Sequence, residues 1–182
     1  KLSGNLIVSN SNYKYNIGFD SNSARDFDLD YKVQETELKY VMNQLMNDKH
    51  YFTYGISGKM YNNDQPNIKP QGSQSLVDPT DIQSEKAIES GLFFSDNFTV
   101  NKNLSFNLGL RYSFYAFLGP TDQNIYVDGL PKNEGTLIET VNYGNNEVVE
   151  TYGGPEFRVS GRYSFTPSFS LKASYNKNYQ FI

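Results

Sequence analysis

His50 is the chain's only histidine and follows Asp48 and Lys49 directly. An imidazole beside a carboxylate is the start of a base-catalysed hydrolytic site. That chemistry also needs a third group orienting the base and a nucleophile in a dry pocket. Nothing around His50 specifies the nucleophile, so a structural turn is the preferred reading. Asp26, Asp28 and Asp30, continued by Glu37, match the acidic positions of a calcium loop, but Tyr31 stands where the sharp turn needs glycine, and no flanking helices are expected. On a strand the same spacing places the three aspartates on one face, with Phe27, Leu29 and Tyr31 on the other. A solvated or lumenal strand face is the better reading, with a calcium contact of another kind left open. The absence of cysteine removes disulfides, thiolate ligands and cysteine nucleophiles. No phosphate loop, nucleotide fingerprint or haem-ligand pair is seen. The chain is therefore not expected to be an enzyme or to hold a metal or cofactor.

Composition narrows the classes further. Sixteen Lys and Arg against 20 Asp and Glu give a net charge of -4, which offers no basic footprint, so nucleic acid is not expected as a partner. Mean hydropathy is -0.61 over 182 residues with no long apolar run, so a membrane-spanning helix of ~20 apolar residues is excluded. Any membrane crossing must use strands. Lys1-Leu2-Ser3-Gly4-Asn5 lacks the pattern of a signal peptide, which is expected to have been removed or to precede an internal piece.

The elements that must position functional residues show themselves by period two. Leu104, Phe106, Leu108, Leu110, Tyr112, Phe114 and Ala116 alternate with Ser105, Asn107, Gly109, Arg111 and Ser113. At helical spacing the apolar set would scatter around the cylinder, so this segment is a strand with one apolar face. Phe157 to Phe165, Phe52 to Met60, Leu38 to Met42 and Tyr13 to Phe19 alternate similarly. So does the closing run Phe169, Leu171, Ala173, Tyr175, Tyr179 and Phe181. Ile88 to Phe94 is weaker, because Phe93 interrupts its polar face. With a short first strand over Leu2 to Val8, about eight strands are expected. Short connectors fall at Ser9 to Ser11, Asn47 to Lys49, Val100 to Asn103 and Thr166 to Ser168. Long loops run over Asn62 to Ser84 and Leu118 to Gly154, with a moderate connector near Ser21 to Arg25. Short turns at one end and long loops at the other are the habit of outer-membrane barrels. Leu104 to Phe117 also exceeds the ~9–11 residues needed to cross a bilayer, while soluble strands usually stop at ~5–6. The expected class is all-β: about eight strands of an antiparallel, up-and-down transmembrane barrel.

If Phe106, Leu108 and Leu110 face lipid, Arg111, Arg158, Arg162 and Lys172 face the lumen, joined by Glu89 and Glu156 from neighbouring strands. A hydrated wall of mutually compensating charges is the simpler reading; a surface that docks a plug or guides a solute is the functional one. In the long loops, Tyr61, Asn62, Asn63, Tyr126, Tyr143 and Asn145 mix aromatic rings with amides, a composition suited to gripping a sugar, peptide or cofactor. The same composition also makes a merely soluble loop.

Several segments resemble successive barrel strands of TonB-dependent receptors of the Bacteroidetes type. They are Asn107-Leu108-Gly109-Leu110-Arg111-Tyr112-Ser113, the loop opening Leu118-Gly119-Pro120, Tyr152-Gly153-Gly154-Pro155-Glu156-Phe157-Arg158 and Lys172-Ala173-Ser174-Tyr175-Asn176-Lys177-Asn178-Tyr179-Gln180. Leu45-Met46-Asn47-Asp48-Lys49-His50 with Phe52-Thr53-Tyr54-Gly55 is similar to the turn and strand that precede a long loop in such receptors. The resemblance covers roughly Asp30 to Ile182. It implies an outer-membrane location and a wide barrel of ~22 strands, of which residues 1–182 are read as a single region of wall without the plug. It also implies import of a scarce solute (siderophore, glycan, peptide or cofactor) by energised plug movement. Implied partners are outer-membrane lipid, the rest of the barrel and its plug, and TonB through the intact receptor; a surface lipoprotein is left open.

Two other readings compete. One is a small self-contained outer-membrane barrel acting as an adhesin, structural protein or lipid-modifying enzyme, since eight strands can close alone. The other is a soluble β-sandwich or solenoid that binds carbohydrate. The first two separate at the edges: a ladder between Leu2 to Val8 and Phe169 to Phe181 would close a small barrel, and its absence leaves an open sector.

Overall fold

The computed structural model describes residues 1–20, 24–80 and 82–181. The connector expected near Ser21 to Arg25 lies partly outside them, because residues 21–23 are not described, and Ile182 lies outside them too. Among the described residues nine strands follow in order: β1 (Leu2–Phe19), β2 (Phe27–Leu45), β3 (His50–Pro70), β4 (Glu85–Thr99), β5 (Leu104–Leu118), β6 (Thr121–Tyr126), β7 (Leu137–Tyr143), β8 (Val148–Thr166) and β9 (Phe169–Lys177). Seven make one antiparallel sheet in the order β1-β2-β3-β4-β5-β8-β9, while β6 and β7 pair only with each other. β1 and β9 are opposite edges of the sheet, and among the described residues no ladder joins them. The structure is thus an all-β barrel sector, neither a closed small barrel nor a sandwich of two facing sheets.

The register carries the alternation across the whole sheet. Leu108 lies opposite Asp96 on β4 and Val159 on β8, and Val159 lies opposite Tyr175 on β9. Leu104, Tyr163 and Leu171 form a second such row. Directly opposed residues share a face, so these rows, apolar but for Asp96, lie on one side and Arg111, Arg158 and Lys172 on the other. Concavities open on the Arg111 side, lined in turn by Arg111 and Arg158, by Arg162 and Lys172, and by Tyr61 and Tyr115. The polar face is therefore the inner one. The apolar face remains exposed, with Leu108 at 44% and Leu171 at 60%.

The expected ends also hold. The turns after β2, β4 and β8 sit side by side: the Thr99 amide donates to the Lys49 carbonyl at 2.8 Å, and the Ser164 amide to the Asn103 carbonyl at 2.8 Å. Asn47 and Asn101 each shape their turn by accepting two backbone N–H bonds through the side-chain oxygen. The long connections leave from the opposite end.

Four local expectations are corrected. Ser9 to Ser11 is not a turn: β1 runs through it, each residue paired with β2, and the Asn10 amide donates to the Thr36 hydroxyl at 2.8 Å. The apolar phase changes there without the chain bending. β3 continues to Pro70, so Tyr61, Asn62 and Asn63 belong to a strand and the loop begins only at Gln71. The segment Leu118 to Gly154 contains the β6–β7 hairpin and the start of β8. Finally, β9 ends at Lys177, and Tyr179 and Phe181 turn to the inner face. The Tyr179 amide donates to Glu156 Oε1 at 3.3 Å, and the Phe181 ring stacks on Tyr115 at 5.2 Å.

The hairpin is joined to the sheet at a narrow neck, where the Gly119 amide donates to the Glu147 carbonyl at 2.8 Å and the Asn146 amide to the Gly119 carbonyl at 3.0 Å. A Cβ on Gly119 would fall on the Gly144 carbonyl oxygen, so the two passing segments need a glycine there. Because β6 and β7 add no ladder to the main sheet, excising residues 121–143 and rejoining the neck should leave barrel assembly intact. The assay is heat-modifiable migration of the full-length protein in detergent gels; loss of the folded band would show that the hairpin supports the wall.

Candidate functional site

The inner wall is built from side chains that the alternation sends inward from β2, β3, β4, β5 and β8. Its centre is Arg111. Arg111 Nε donates to Ser113 Oγ at 2.8 Å, and Ser113 Oγ donates to Glu156 Oε1 at 2.8 Å. Arg111 Nη2 reaches Glu89 Oε1 at 3.5 Å, and Nε stands 3.9 Å from Glu156 Oε2. The Tyr61 hydroxyl donates to the other oxygen of Glu89 at 3.2 Å. A guanidinium between two carboxylates thus links four strands, with Ser113 only 1% exposed beneath it. Gly91 provides the floor: a Cβ there would sit 2.8 Å from Arg111 Nε and Nη2.

Both ion pairs are long, at 3.5 and 3.9 Å; Arg111 and Glu89 are about one-third exposed and Glu156 is 15% exposed. Such pairs contribute ~0–1 kcal/mol apiece. The cluster therefore does little for folding; it fixes the positions of charged and hydrogen-bonding groups on a concave surface. A neighbouring pair, Lys59 Nζ to Glu35 at 2.9 Å, extends it across β2 and β3.

The remaining inward cations differ. Arg158 lies opposite Gly109 and Asn176, while Arg162 lies directly opposite Lys172. Among the described residues no ion pair is recorded for Arg158, Arg162 or Lys172. Like charges placed opposite each other are destabilising unless hydrated or neutralised. The wall is thus divided, with charges compensated around Arg111 and a basic zone nearer the short turns. Phe93, which interrupts the polar pattern of β4, lies inward over Gly55, where a Cβ would come within 2.9 Å of its ring. Lys39 Nζ stands 5.8 Å from the same ring.

The aromatic and amide set does not converge. Tyr61 and Asn63 line an inner concavity with Tyr31, Val33, Glu89, Tyr115 and Phe181. Asn62 faces outward and donates to Gln34 Oε1 at 3.4 Å. Tyr126 and Tyr143 belong to the hairpin, where Lys132 Nζ stands 5.9 Å from the Tyr126 ring and the Asn124 amide donates to its hydroxyl at 3.3 Å. Asn145 is at the neck and accepts from Lys86 Nζ at 2.5 Å. Sequence reasoning missed Tyr31 and Tyr115, which line that inner concavity. Tyr31 was discoverable from the odd-numbered run Phe27, Leu29, Tyr31 and Val33, once its register with β1 was known.

The other chemical candidates resolve into structural contacts. His50 opens β3 on the outer face, and its partner is Asp96, at 2.7 Å, rather than Asp48; its ring stacks on Phe98 at 4.5 Å. Asp28 accepts from the Gln71 amide, and Asp30 accepts from Asn16 at 2.9 Å and Lys69 at 3.4 Å.

Neither the curated proteins nor the solved structures supply a match. A family model does: TonB dependent receptor-like, beta-barrel, over residues 2–181. That span takes in every strand of the sheet, the apolar outer rows and the charged inner wall. The chain therefore belongs to the TonB-dependent receptor β-barrel family, and its sheet is a sector of an outer-membrane receptor wall.

Proposed function

We propose that this wall belongs to a receptor that imports a scarce solute across the outer membrane by energised movement of a plug held inside the barrel. The observation that carries the reading is the inner face itself: a concave, charged surface centred on Arg111, Glu89 and Glu156, backed by an outer face that is apolar along β5, β8 and β9. Arg158, Arg162 and Lys172 supply uncompensated cations that suit carboxylates on a plug. Tyr61 and Asn63, nearer the long connections, suit a solute arriving from outside. The Bacteroidetes-type segments around Arg111, Glu156 and Lys172 support the same reading, with TonB acting on the intact receptor and a surface lipoprotein as a further partner.

The test compares spent medium of cells with and without the gene by mass spectrometry. At least one compound should persist only when the gene is absent, and its uptake should stop when the proton gradient is dissipated. No difference between the media, or uptake that survives de-energisation, would overturn the reading. Replacing Arg111 by Met should lower that uptake several-fold while changing folding stability by no more than ~1 kcal/mol, since the lost pairs are partly hydrated. Unchanged uptake at normal receptor abundance would remove Arg111 from the functional surface.

A further inference from the structure

The pairing of β1 with β2 is continuous from Leu2 opposite Gln44 to Phe19 opposite Phe27, with no register shift. Along an unbroken ladder, alternate residues must stay on the same face throughout. Near the short-turn end the outward residues are Leu2, Leu6 and Val8 on β1, opposite Gln44, Tyr40 and Leu38. Beyond Asn10 and Thr36 the outward positions become polar: Asn12 opposite Gln34, Lys14 opposite Lys32, Asn16 opposite Asp30. The apolar side chains change to the other face, as Tyr13 opposite Val33, Tyr15 opposite Tyr31 and Ile17 opposite Leu29. The chain has not rotated. What each face touches has changed.

The height of that change fits a bilayer. Relative to the row containing Leu108, the last in-register rungs before the short turns lie one residue lower at Leu45 and Tyr51, three lower at Thr99 and Ser105, and five lower at Ser164 and Ser170, with the irregular Thr166–Phe169 pair beyond. The ends therefore step by about one residue per strand. With ~3.3 Å per residue and ~4.8 Å between strands, that slope corresponds to a strand tilt of roughly 35°, within the range of membrane barrels. At this tilt an apolar band ~25 Å tall spans about nine residues of strand. The outward apolar run of β2 ends at Leu38, close to that limit, yet β1 and β2 are 18 and 19 residues long. About half of each strand lies beyond the band.

Charge decides what surrounds the upper half. Lys14 and Lys32 are directly opposed on the outer face. In hydrocarbon a single lysine is strongly unfavourable near the midplane, and two facing each other would add their repulsion; in water that repulsion is screened. We propose that β1 and β2 leave the lipid just beyond the Val8–Leu38 row and stand above it as a hydrated wall, polar outside, with an aromatic rim of Tyr13, Tyr15 and Tyr31 lining the barrel interior. The acyl-chain contact surface then ends at that row, while Tyr31 joins Tyr61 and Tyr115 around one inner concavity. The boundary rests on family membership and the register, so it stands whether or not the transport reading does.

The experiment uses the full-length protein in phospholipid vesicles, with single cysteines carrying a nitroxide at Leu6, Leu38, Lys14, Lys32, Tyr13 and Tyr31. Collision with oxygen, which concentrates in lipid, is compared with collision with a water-soluble nickel chelate. Leu6→Cys and Leu38→Cys should favour oxygen. The Lys14→Cys, Lys32→Cys, Tyr13→Cys and Tyr31→Cys labels should favour the chelate, with the nickel-to-oxygen ratio several-fold higher than at Leu6. Two sites in each class keep the comparison decisive if one variant does not assemble. A ratio at Lys14 and Lys32 equal to that at Leu6 would put the whole wall in lipid and overturn the proposal. Oxygen preference at Tyr13 and Tyr31 would overturn the inward rim.

Discussion

An arginine in place of Leu108 should lower the unfolding free energy of the full-length protein in bilayers by ~2–4 kcal/mol, the cost of that side chain near the membrane midplane. Leu108 lies on the outer face within the row of Val159 and Tyr175, and 44% of its surface is open to the surroundings. Its chain neighbour Asn107 points the other way, lies opposite Ser160, and donates to Asn97 across the inner wall. Asn107→Arg should therefore cost only ~0.5 kcal/mol, as expected of a hydrated surface position. Urea titrations of the two variants check this directly. Equal losses would mean that the apolar face does not meet lipid, and the orientation of the whole sheet would have to be reversed or abandoned. The contrast is informative because the two positions share strand, depth and substituted residue, and differ only in face.

The second large effect is expected at Gly55. A Cβ there would fall on the Tyr40 carbonyl oxygen, a backbone atom of the paired strand, and within 2.9 Å of the Phe93 ring. Relief requires the β2–β3 ladder to shift, so Gly55→Ala should destabilise by ~1–3 kcal/mol, the range of overpacking. Gly58 is three residues further along the same strand, and a Cβ there meets nothing within 4 Å. Gly58→Ala should change stability by less than ~0.5 kcal/mol, with the same denaturation assay as readout. Similar losses at both sites would show that strand entropy, rather than close approach, controls these glycines. The pair also explains Phe93: an aromatic residue on a polar face covers the bare backbone of a cross-strand glycine, as designed sheets do on purpose.

Much of this was legible in the sequence. Period two from Leu104 to Ala116 and from Phe157 to Phe165 specified strands, and it assigned Leu108 and Arg111 to opposite faces, because side-chain direction along a strand is a local property of the backbone. Turn chemistry at Asn47 and Asn101 is local too, since the asparagine oxygen bonds backbone groups two and three residues on. That Arg111, Arg158, Arg162 and Lys172 share the face opposite Leu108 followed without any knowledge of pairing. What alternation could not convey is what each face touches. At Ser9 to Ser11 the apolar phase reverses, and from sequence alone a reversal is indistinguishable from a turn; only the continuous ladder to β2 shows that the strand runs on while its apolar side chains move to the other face. Tyr61 and Asn62 are adjacent in the chain, so a loop reading put them together, whereas pairing with β2 and β4 sends them to opposite faces. The link between Arg111, Glu89, Glu156 and Tyr61 joins residues 43 and 28 positions apart in two of its contacts. Such contacts depend on strand register, a long-range quantity set by the whole sheet, and that is why the sequence determined the strands and their faces while the tertiary structure alone decided which residues share a site.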